Sequence, residues 1–294
     1  MTQIYNRIER KLVQIPEYRS KIMVFLHTHK AGRFLMKYLL SLPFINTIIT
    51  RKKYRAESKK EIAPFIEFFG LNPLDFEKKP EEFESFADFF VRKLKKESRP
   101  FPKDKSIFAS PSDGVINIAP LAEDSFFKVK GTDFSLEQFL GNKEKAKKFI
   151  GGTVAIIYLA PYNYHRFHYP IDSNLEKKEI LGNRLFSVSP ISIHNGFRPF
   201  DFNYRHINYL KNQIIGDFVM AEVGAFYVGR IIETNSSLGE NLSGDEKGYF
   251  GLGGSTIVLV FQKNSIKFDS DIIEMSSKNI PVSIIAGERI GICK

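Results

Sequence analysis

Cysteine and tryptophan are almost missing from this chain of 294 residues, which contains one cysteine, Cys293, and no tryptophan. A single cysteine excludes an intrachain disulfide and a metal site built on cysteines, and it favours a reducing compartment. The N-terminus lacks a short apolar core followed by small residues, because Lys, Arg and Glu are spread through its first twenty positions. We therefore expect no secretory signal.

Acidic residues are also in deficit. The chain has 33 Asp and Glu against 43 Lys and Arg, for a formal net charge of +10. Such a chain is attracted to anionic partners, of which nucleic acids and anionic lipids are the main classes. Neither a zinc-finger spacing nor an aromatic RNA-binding motif of the RNP type occurs in the sequence. We therefore expect an anionic membrane surface as partner, and no nucleic acid.

No apolar run is long enough to cross a bilayer. The best candidate, residues 34–49 (FLMKYLLSLPFINTII), is shorter than the ~20 residues that a span needs, and Lys37 and Pro43 interrupt it. Its basic flanks, Arg33 and residues 51–53, are typical of a helix lying in the membrane interface. A helix in the protein core is the alternative, and the sequence leaves both open.

Apolar material is plentiful, since 43% of the residues are hydrophobic and 28 are Phe, which is enough for a substantial core. The first hundred residues have helical, basic patterns. They include a helix predicted at residues 85–95 (SFADFFVRKLK), where Ser85 can cap the N-terminus and lysines suit the C-terminus. Two prolines within residues 98–105 (SRPFPKDK) mark a change of pattern. We place a domain boundary near residue 100.

Beyond residue 100 the pattern is that of β-strands. Short runs rich in Val, Ile, Phe and Tyr are separated by Gly, Pro, Asn and Asp, which is typical of a sandwich or barrel. The runs are residues 115–119, 153–159, 217–223, 225–232, 255–261 and 281–292. The prediction is an α+β protein. Residues 1–100 form an N-terminal helical, membrane-facing region, and residues 101–294 form a mainly antiparallel β domain, sandwich-like or barrel-like.

Three segments carry residues suited to catalysis: residues 111–114 (PSDG), 162–170 (YNYHRFHYP) and 248–261 (GYFGLGGSTIVLVF). In the third, a glycine pair allows a tight turn and leaves the Gly254 carbonyl unshielded beside the Ser255 hydroxyl. A serine becomes nucleophilic when a base takes its proton, and a histidine oriented by a carboxylate is the usual base. Singly, each segment is a weak signal, because Asp-Gly is a common turn and paired histidines are often structural.

In this order the three segments resemble the phosphatidylserine decarboxylase family, whose proenzymes carry Pro-x-Asp-Gly, Tyr-His-Arg-x-His-x-Pro and Gly-Ser-Thr segments. The resemblance covers roughly residues 60–275. It implies that Asp113, His168 and Ser255 form a self-processing triad, with His168 as the base and Asp113 as its orienting carboxylate. It leaves His165 as the proton donor in decarboxylation.

The resemblance implies a chemistry in two stages. Ser255 attacks the Gly254 carbonyl, the chain splits into residues 1–254 and 255–294, and Ser255 becomes a covalent pyruvoyl group, the only cofactor expected. The pyruvoyl carbonyl then forms a Schiff base with the amine of phosphatidylserine, and loss of CO2 gives phosphatidylethanolamine.

The partners that this chemistry implies are phosphatidylserine, an anionic membrane surface and the two cleaved chains, which bind each other as a heterodimer. The family also implies a homodimer. Because the substrate is a membrane lipid, we expect peripheral attachment to the cytoplasmic face of the cell membrane.

Two positions depart from the family pattern. The usual Asn-Glu-Arg triplet corresponds here to residues 203–206 (NYRH), where Tyr204 replaces the acidic residue, and Ser112 replaces a small alanine. No third ligand stands at a metal-binding spacing from the histidine pair, so no metal site is predicted. His27 and His29 lie in the basic N-terminal region and are predicted to be surface residues.

Three other functions stay open. A pyruvoyl-dependent decarboxylase of a soluble amino acid is one, although the basic N-terminal segment favours a lipid. A hydrolase using Asp113, His168 and Ser255 on an external ester is another, although the Gly-x-Ser-x-Gly elbow is missing. The third is a basic scaffold that binds membranes without catalysis, which three motifs in the family's order make hard to sustain.

Overall fold

The computed structural model describes residues 2–15, 21–122, 124, 126–227, 230–235, 237–253 and 255–294. Its strands are β1 Thr2–Asn6, β2 Lys11–Ile15, β3 Ile107–Ala109, β4 Gly114–Pro120, β5 Phe126–Val129, β6 Thr132–Ser135, β7 Thr153–Leu159, β8 Arg166–His168, β9 Ser173–Leu181, β10 Arg205–Asn212, β11 Gly216–Val223, β12 Ile231–Glu233, β13 Gly239–Asn241, β14 Glu246–Phe250, β15 Ser255–Phe261, β16 Ile266–Phe268, β17 Val282–Ile284 and β18 Arg289–Cys293. Its α-helices are α1 Lys21–Thr28, α2 Lys30–Leu35, α3 Pro43–Thr50, α4 Ile62–Phe69, α5 Phe86–Phe90, α6 Leu136–Leu140, α7 Lys143–Lys147, α8 Pro190–His194, α9 Pro199–Phe202 and α10 Ser270–Ser277.

A ten-stranded sheet lies at the centre of the described part of the chain, in the order β13-β9-β10-β11-β15-β7-β4-β17-β1-β2. Neighbouring strands are antiparallel except β1 and β17, which are parallel. The prediction of a β-rich α+β protein with mainly antiparallel strands is confirmed. Within the described ranges the sheet is open, with β13 and β2 as its edges, and it is not a closed barrel.

Both faces of this sheet are covered, because its central strand is buried along its whole length. On β15, Ile257, Leu259 and Phe261 point into one core, and Val258 and Val260 point into the other. This alternation follows from the two-residue period of a strand. The first core includes the two three-stranded sheets, β12-β14-β8 and β16-β18-β3, and the second includes the β5–β6 hairpin and α6. The result is a layered, sandwich-like arrangement.

The first hundred residues are not helical throughout. β1 and β2 form a hairpin at one edge of the main sheet, where Tyr5 of β1 pairs with Val282 of β17. The helical prediction is therefore wrong for these two strands, whose short runs between polar residues gave no clear period. The domain boundary near residue 100 stays a prediction.

The helix predicted from Ser85 begins where expected and ends early. The Ser85 Oγ accepts a hydrogen bond from the backbone N–H of Asp88 at 3.2 Å, as an N-cap does. The helix, α5, stops at Phe90, so the lysines that follow lie beyond its C-terminus. Its phenylalanines are buried in a small aromatic core with Leu252, close to the start of β15.

The predicted interfacial segment, residues 34–49, consists of the end of α2, a π-helical turn at Met36–Leu40 and α3, which begins at Pro43. Met36 is fully buried, whereas Phe34 and Phe44 are 67% and 64% exposed. Within the described ranges, no helix combines the length and the hydropathy that a membrane span requires.

The prediction that His27 is a surface residue is wrong, although His29 is exposed as expected. His27 is fully buried, its Nδ1 lies 2.7 Å from the carbonyl oxygen of Met23, and its ring meets that of Phe197 edge-on at 5.4 Å. It serves to pack α1 against the segment that follows α8.

Candidate active site

The three segments identified from sequence meet at one end of three central strands of the main sheet. Residues 111–114 lead into β4, residues 162–170 follow β7, and Ser255 begins β15. Since β4, β7 and β15 are adjacent and antiparallel, the start of β4, the end of β7 and the start of β15 lie together. Register fixes the detail, because Ser255 pairs with Leu159.

The Ser255 hydroxyl faces His165. Both residues are fully buried, and the Ser255 Oγ lies 3.5 Å from the His165 Nδ1. The opposite ring nitrogen, Nε2, lies 3.1 Å from the carbonyl oxygen of Ala160, which can only accept a hydrogen bond. The neutral ring therefore carries its proton on Nε2 and leaves Nδ1 free to accept from the serine. The Phe90 ring stacks on the imidazole at 4.2 Å and excludes water from it.

The His165 ring is held neutral by its surroundings. Burial, followed by the positive charge of Arg92, lowers the pKa of His165 to about 3. Arg92 is itself buried, and its Nη2 donates to the carbonyl oxygens of Tyr162 and Asn163 at 2.9 and 3.2 Å. Because desolvation disfavours a charged imidazole, His165 at neutral pH is an acceptor and not a cation.

Asp113 is rigidly held at the same end of these strands. Its two carboxylate oxygens accept from Nε and Nη2 of Arg99 at 2.8 and 2.7 Å, and Oδ1 also accepts from the backbone N–H of Ala286 at 2.9 Å. Gly114, next in the chain, has to be glycine, because a Cβ there would lie 2.6 Å from the carbonyl oxygen of Tyr158. A bidentate pair of this kind fixes the orientation of the carboxylate.

His168 lies near Asp113 but does not touch it. Its Nδ1 lies 3.1 Å from the carbonyl oxygen of Gly244, and its backbone N–H donates to the carbonyl oxygen of Pro111 at 2.9 Å. Burial lowers the pKa of His168, and the hydrogen bond with Gly244 and the charges of Glu246 and then Asp113 oppose that shift. The buried Nε2 has no hydrogen-bond partner among the described residues.

The geometry thus brings Ser255 and His165 together, and it links Asp113 to Arg99. Across the described ranges, no hydrogen bond joins His168 to Asp113 or to Ser255. The assignment of these residues to a self-processing triad stays a prediction. Gly254, the predicted residue on the other side of the cleaved bond, lies outside the described residues.

A large cavity of about 1810 Å³ opens beside the serine. Gly253 and Thr256, which flank the cleavage segment, line it, and its walls are mainly apolar. Aromatic side chains from α4 and α5 dominate one wall: Phe65, Phe68, Phe69, Phe86 and Phe90. A cavity of this size exceeds the range of about 300–1,000 Å³ typical of drug-sized ligands, and its lining suits hydrocarbon chains.

The chain is similar in sequence to known proteins over most of its length. The sequence model of the family described as phosphatidylserine decarboxylase matches residues 86–292. The chain belongs to this family. It is similar to proteins named phosphatidylserine decarboxylase proenzyme from Chlamydia pneumoniae, at 35% identity over 98% of this chain and 96% of the relative. The corresponding figures are 37%, 97% and 96% for Fusobacterium nucleatum, and 34%, 99% and 99% for Clostridium novyi.

Three residues that shape the site of this phosphatidylserine decarboxylase family member were not predicted from the sequence. Phe90 and Arg92 come from the segment that we assigned to a helix, and Arg99 from the segment that we took as a domain boundary. Arg166, whose Nε donates to the carbonyl oxygen of Val91 at 2.9 Å, ties that segment to the histidine motif. Arg92, two positions after the Phe89-Phe90 pair, was the available signal, since a charge among apolar residues needs a buried partner.

The segment that departs from the family pattern belongs to a separate buried cluster. The Tyr204 hydroxyl lies 2.9 Å from the His206 Nε2, and the His206 Nδ1 lies 3.1 Å from a Glu233 oxygen. Glu222 and Lys247 are fully buried beside them. Glu233 of β12 therefore contacts residues 203–206, the segment in which Tyr204 replaces the family's acidic residue.

This cluster also contains the one group of potential metal ligands among the described residues, namely His206, Glu222 and Glu233. The Lys247 ammonium lies 3.3 Å from Glu222 and 3.0 Å from Glu233, so it already supplies positive charge to both carboxylates. A cation between these acids would have to displace a buried ammonium. We therefore interpret the cluster as a structural ion network.

Proposed function

We propose that this protein is the precursor of a pyruvoyl-dependent phosphatidylserine decarboxylase, which converts phosphatidylserine to phosphatidylethanolamine and CO2. The observation that carries the proposal is the placement of Ser255. It is buried at the start of a central strand, its Oγ faces a neutral imidazole nitrogen, and the adjoining cavity is apolar and large. Family membership supplies the reaction class, and the cavity supports a lipid substrate.

The first step is an acyl shift within the chain. The Ser255 Oγ attacks the Gly254 carbonyl carbon, an ester replaces the peptide bond, and β-elimination releases residues 1–254 with a new carboxylate. The remaining dehydroalanine takes up water and loses ammonia, which leaves a pyruvoyl group at the start of residues 255–294. Neutral surroundings at Ser255 favour this step, because neither reactant has to be desolvated as an ion.

We propose that the two histidines have different roles. An efficient base has a pKa near the working pH, which disfavours His165 with its pKa of about 3 as the base. His168 keeps an unpartnered Nε2 and is influenced by the charge of Asp113, which supports it as the base of self-cleavage. The His165 Nδ1 faces the Ser255 Oγ, which supports His165 in the later protonation step.

A specific observation favours a second assignment. The His165 Nδ1 is the ring nitrogen in contact with the Ser255 Oγ, at 3.5 Å. In that assignment His165 takes the serine proton during self-cleavage, and His168 and Asp113 support the surrounding loop.

The residues present fit a carbonyl group derived from Ser255. Bound there, such a group accepts the electrons released when the substrate loses CO2. The chain's own part is to orient the substrate and to move a proton. The His165 Nδ1 faces the position of Ser255, the Ala160 carbonyl fixes the ring, and Phe90 shields it from water.

The two cleaved chains should stay together. β15, at the start of the small chain, lies between β11 and β7, and every one of its residues is buried. Its separation would expose both cores of the main sheet. A stable heterodimer of residues 1–254 and 255–294 follows, and a homodimer of this unit stays a prediction.

Peripheral attachment to the cytoplasmic face of the membrane is part of the proposal. α1 to α3 and the π-helical turn expose apolar side chains that the rest of the described chain does not cover: Ile22, Phe25, Phe34, Tyr38, Leu39, Phe44 and Ile48. Such a surface next to basic residues suits the interface of an anionic bilayer. α1 also contributes Met23 and Val24 to the lining of the large cavity, so the cavity is close to this surface.

Turnover assays test the reaction and its substrate together. Purified wild type and Ser255→Ala are incubated with phosphatidylserine in detergent micelles, and separately with free serine, and the amine products are measured by mass spectrometry. We expect phosphatidylethanolamine from the wild type alone. Product from free serine would support the soluble amino acid alternative, and ester hydrolysis by an uncleaved chain would support the hydrolase.

A further inference from the structure

A second cleft of about 570 Å³ lies apart from the reaction cavity. One wall is formed by residues 33–38 of α2 and the π-helical turn. The other is formed by residues 183–186 and by residues 195–202, around α9. The two cavities share no lining residue, so a ligand of this cleft does not meet Ser255.

The lining of this cleft is cationic. Four of its residues are basic, Arg33, Lys37, Arg184 and Arg198, and none is acidic. Arg198 is paired with Asp201, which offsets its charge. Within the described ranges, the other three form no ion pair. Uncompensated positive charge in a cleft concentrates anions there.

Arg184 gives a second indication of an anionic ligand. Its Nη1 is buried and has no hydrogen-bond partner among the described residues. A buried guanidinium N–H without an acceptor is costly. Because Arg184 lines the cleft, a change in its side-chain conformation would bring this N–H to a phosphate oxygen bound there. Gly196, with φ +82°, lines the same cleft, and a Cβ there would lie 3.7 Å from the Arg33 Nη2. The absence of a side chain at Gly196 leaves room beside the Arg33 guanidinium.

The rim of the cleft indicates where the phosphate comes from. Phe34 and Tyr38 line it, their rings lie 4.8 Å apart, and they are 67% and 54% exposed. Exposed aromatic side chains beside basic residues are typical of protein surfaces at the headgroup level of a bilayer. A phosphate compound free in solution would make no use of these rings.

We propose that this cleft binds the phosphate of an anionic phospholipid that is not the substrate, and so anchors the protein on the membrane. The inference rests on the membrane attachment proposed above and is independent of the chemistry at Ser255. The three unpaired basic residues hold the phosphate, while Phe34 and Tyr38 lie among the upper parts of the acyl chains.

The test compares two triple variants of the full chain. One replaces Arg33, Lys37 and Arg184 by Gln. The matched control replaces Lys143, Lys263 and Lys267, three exposed lysines outside the cleft, by Gln, and so removes the same charge. Binding is measured by flotation with phosphatidylcholine vesicles that contain, or lack, about 30% phosphatidylglycerol, which is anionic and carries no serine.

We expect the cleft variant to need about a hundredfold more anionic lipid for half-maximal binding, and the control to need less than about twofold more. Each basic residue near an anionic surface contributes about fivefold in affinity. Equal losses in the two variants, or none in the cleft variant, would overturn the proposal. Binding of glycerol phosphate in solution with the affinity shown for vesicles would also overturn it, because the ligand would then not be a lipid.

Turnover of phosphatidylserine in detergent micelles separates this inference from the proposed function. The cleft variant should cleave itself and turn over micellar substrate at the wild-type rate. A wild type that binds anionic vesicles but has no turnover would contradict the proposed decarboxylase function and leave this inference standing. A cleft variant with normal vesicle binding and normal turnover would contradict this inference and leave the proposed function standing.

Discussion

His165 and His206 are both buried, in two different regions of this molecule, and their surroundings are opposite in kind. In the candidate active site, His165 is stacked against Phe90 and faces an uncharged serine, with no carboxylate in contact. In the cluster between the sheets, His206 lies 3.1 Å from Glu233, and Glu233 and Glu222 both contact Lys247. One histidine is buried without a carboxylate in contact and near the cation of Arg92, and the other is part of an ion network.

The difference separates a reactive site from a structural one. Burial, followed by the charge of Arg92, lowers the pKa of His165, and the absence of an ionic partner keeps a nitrogen available to a reacting hydroxyl. In the cluster, burial favours the neutral form of Glu233, but the hydrogen bond with His206 and then the ammonium groups of Lys247 and Lys178 lower the pKa of Glu233 far below its usual value. Groups that are already paired have little capacity left for chemistry.

The largest expected effect is on the rate of self-cleavage. His168→Ala should slow release of the C-terminal fragment by about 10²–10⁴-fold, the range for loss of a general base, while His165→Ala cleaves but gives no phosphatidylethanolamine. His206→Ala is the matched control, a buried histidine outside the site, and should cleave normally. Cleavage is followed on gels after expression.

The reverse result has a definite meaning. If His165→Ala stays whole and His168→Ala cleaves, the 3.5 Å contact identifies the base, and the second assignment holds. If both variants cleave and turn over substrate like the wild type, or if His206→Ala is as slow as either, the distinction between the two regions fails.

The second effect is on stability and concerns the ion network. Lys247→Met leaves Glu222 buried without its ammonium, and removal of one partner of a buried pair costs about 3–5 kcal/mol. We expect this loss in the free energy of unfolding by urea, measured in a Ser255→Ala background so that every variant is a single chain. Adding Glu222→Gln should restore most of it. A loss below about 1 kcal/mol would show that Lys247 does not hold the network together.

The smallest expected effect is on how steeply the free energy of unfolding depends on pH. The pKa of His165 is about 3 in the fold and about 6.5 in the unfolded chain, so the unfolded state binds the extra proton between these values. Stability is complete above pH ~6.5 and falls as the pH drops, by about 1.4 kcal/mol per unit for this group.

His165→Asn isolates this contribution, because burial lowers the pKa of His27 and His168 in the same direction and these remain. Between pH ~4.5 and ~6, its unfolding free energy should depend less steeply on pH than that of the parent, by about one proton. Parallel slopes would mean that the His165 ring is protonated in the folded state.

Much of the fold was predictable because the strands have strong local signals. The runs at residues 153–159 and 255–261 match β7 and β15 without a shift at either end. The β1–β2 hairpin was not predictable in the same way. Its strands gain their place from pairing with β17, near the other end of the chain, and local propensity carries no information about such a partner.

The site was predictable in part for a similar reason. The motifs contain Asp113, His165 and Ser255, and the strand order brings their segments together at one end of the central strands. Which ring nitrogen meets which oxygen depends on packing from distant segments. Phe90 and Arg99 come from positions that looked like a helix end and a linker, so the contact between His165 and Ser255 could not be read from spacing alone.

The central claim is that Ser255 becomes the pyruvoyl group, and the mass of the C-terminal fragment tests it most directly. Intact-mass analysis of freshly expressed wild type should show a 40-residue fragment, residues 255–294, that resists N-terminal sequencing and has the mass of a chain beginning with pyruvoyl. Ser255→Ala should stay a single chain. A whole wild-type chain under folding conditions, or a fragment that begins with an intact serine, would contradict the account.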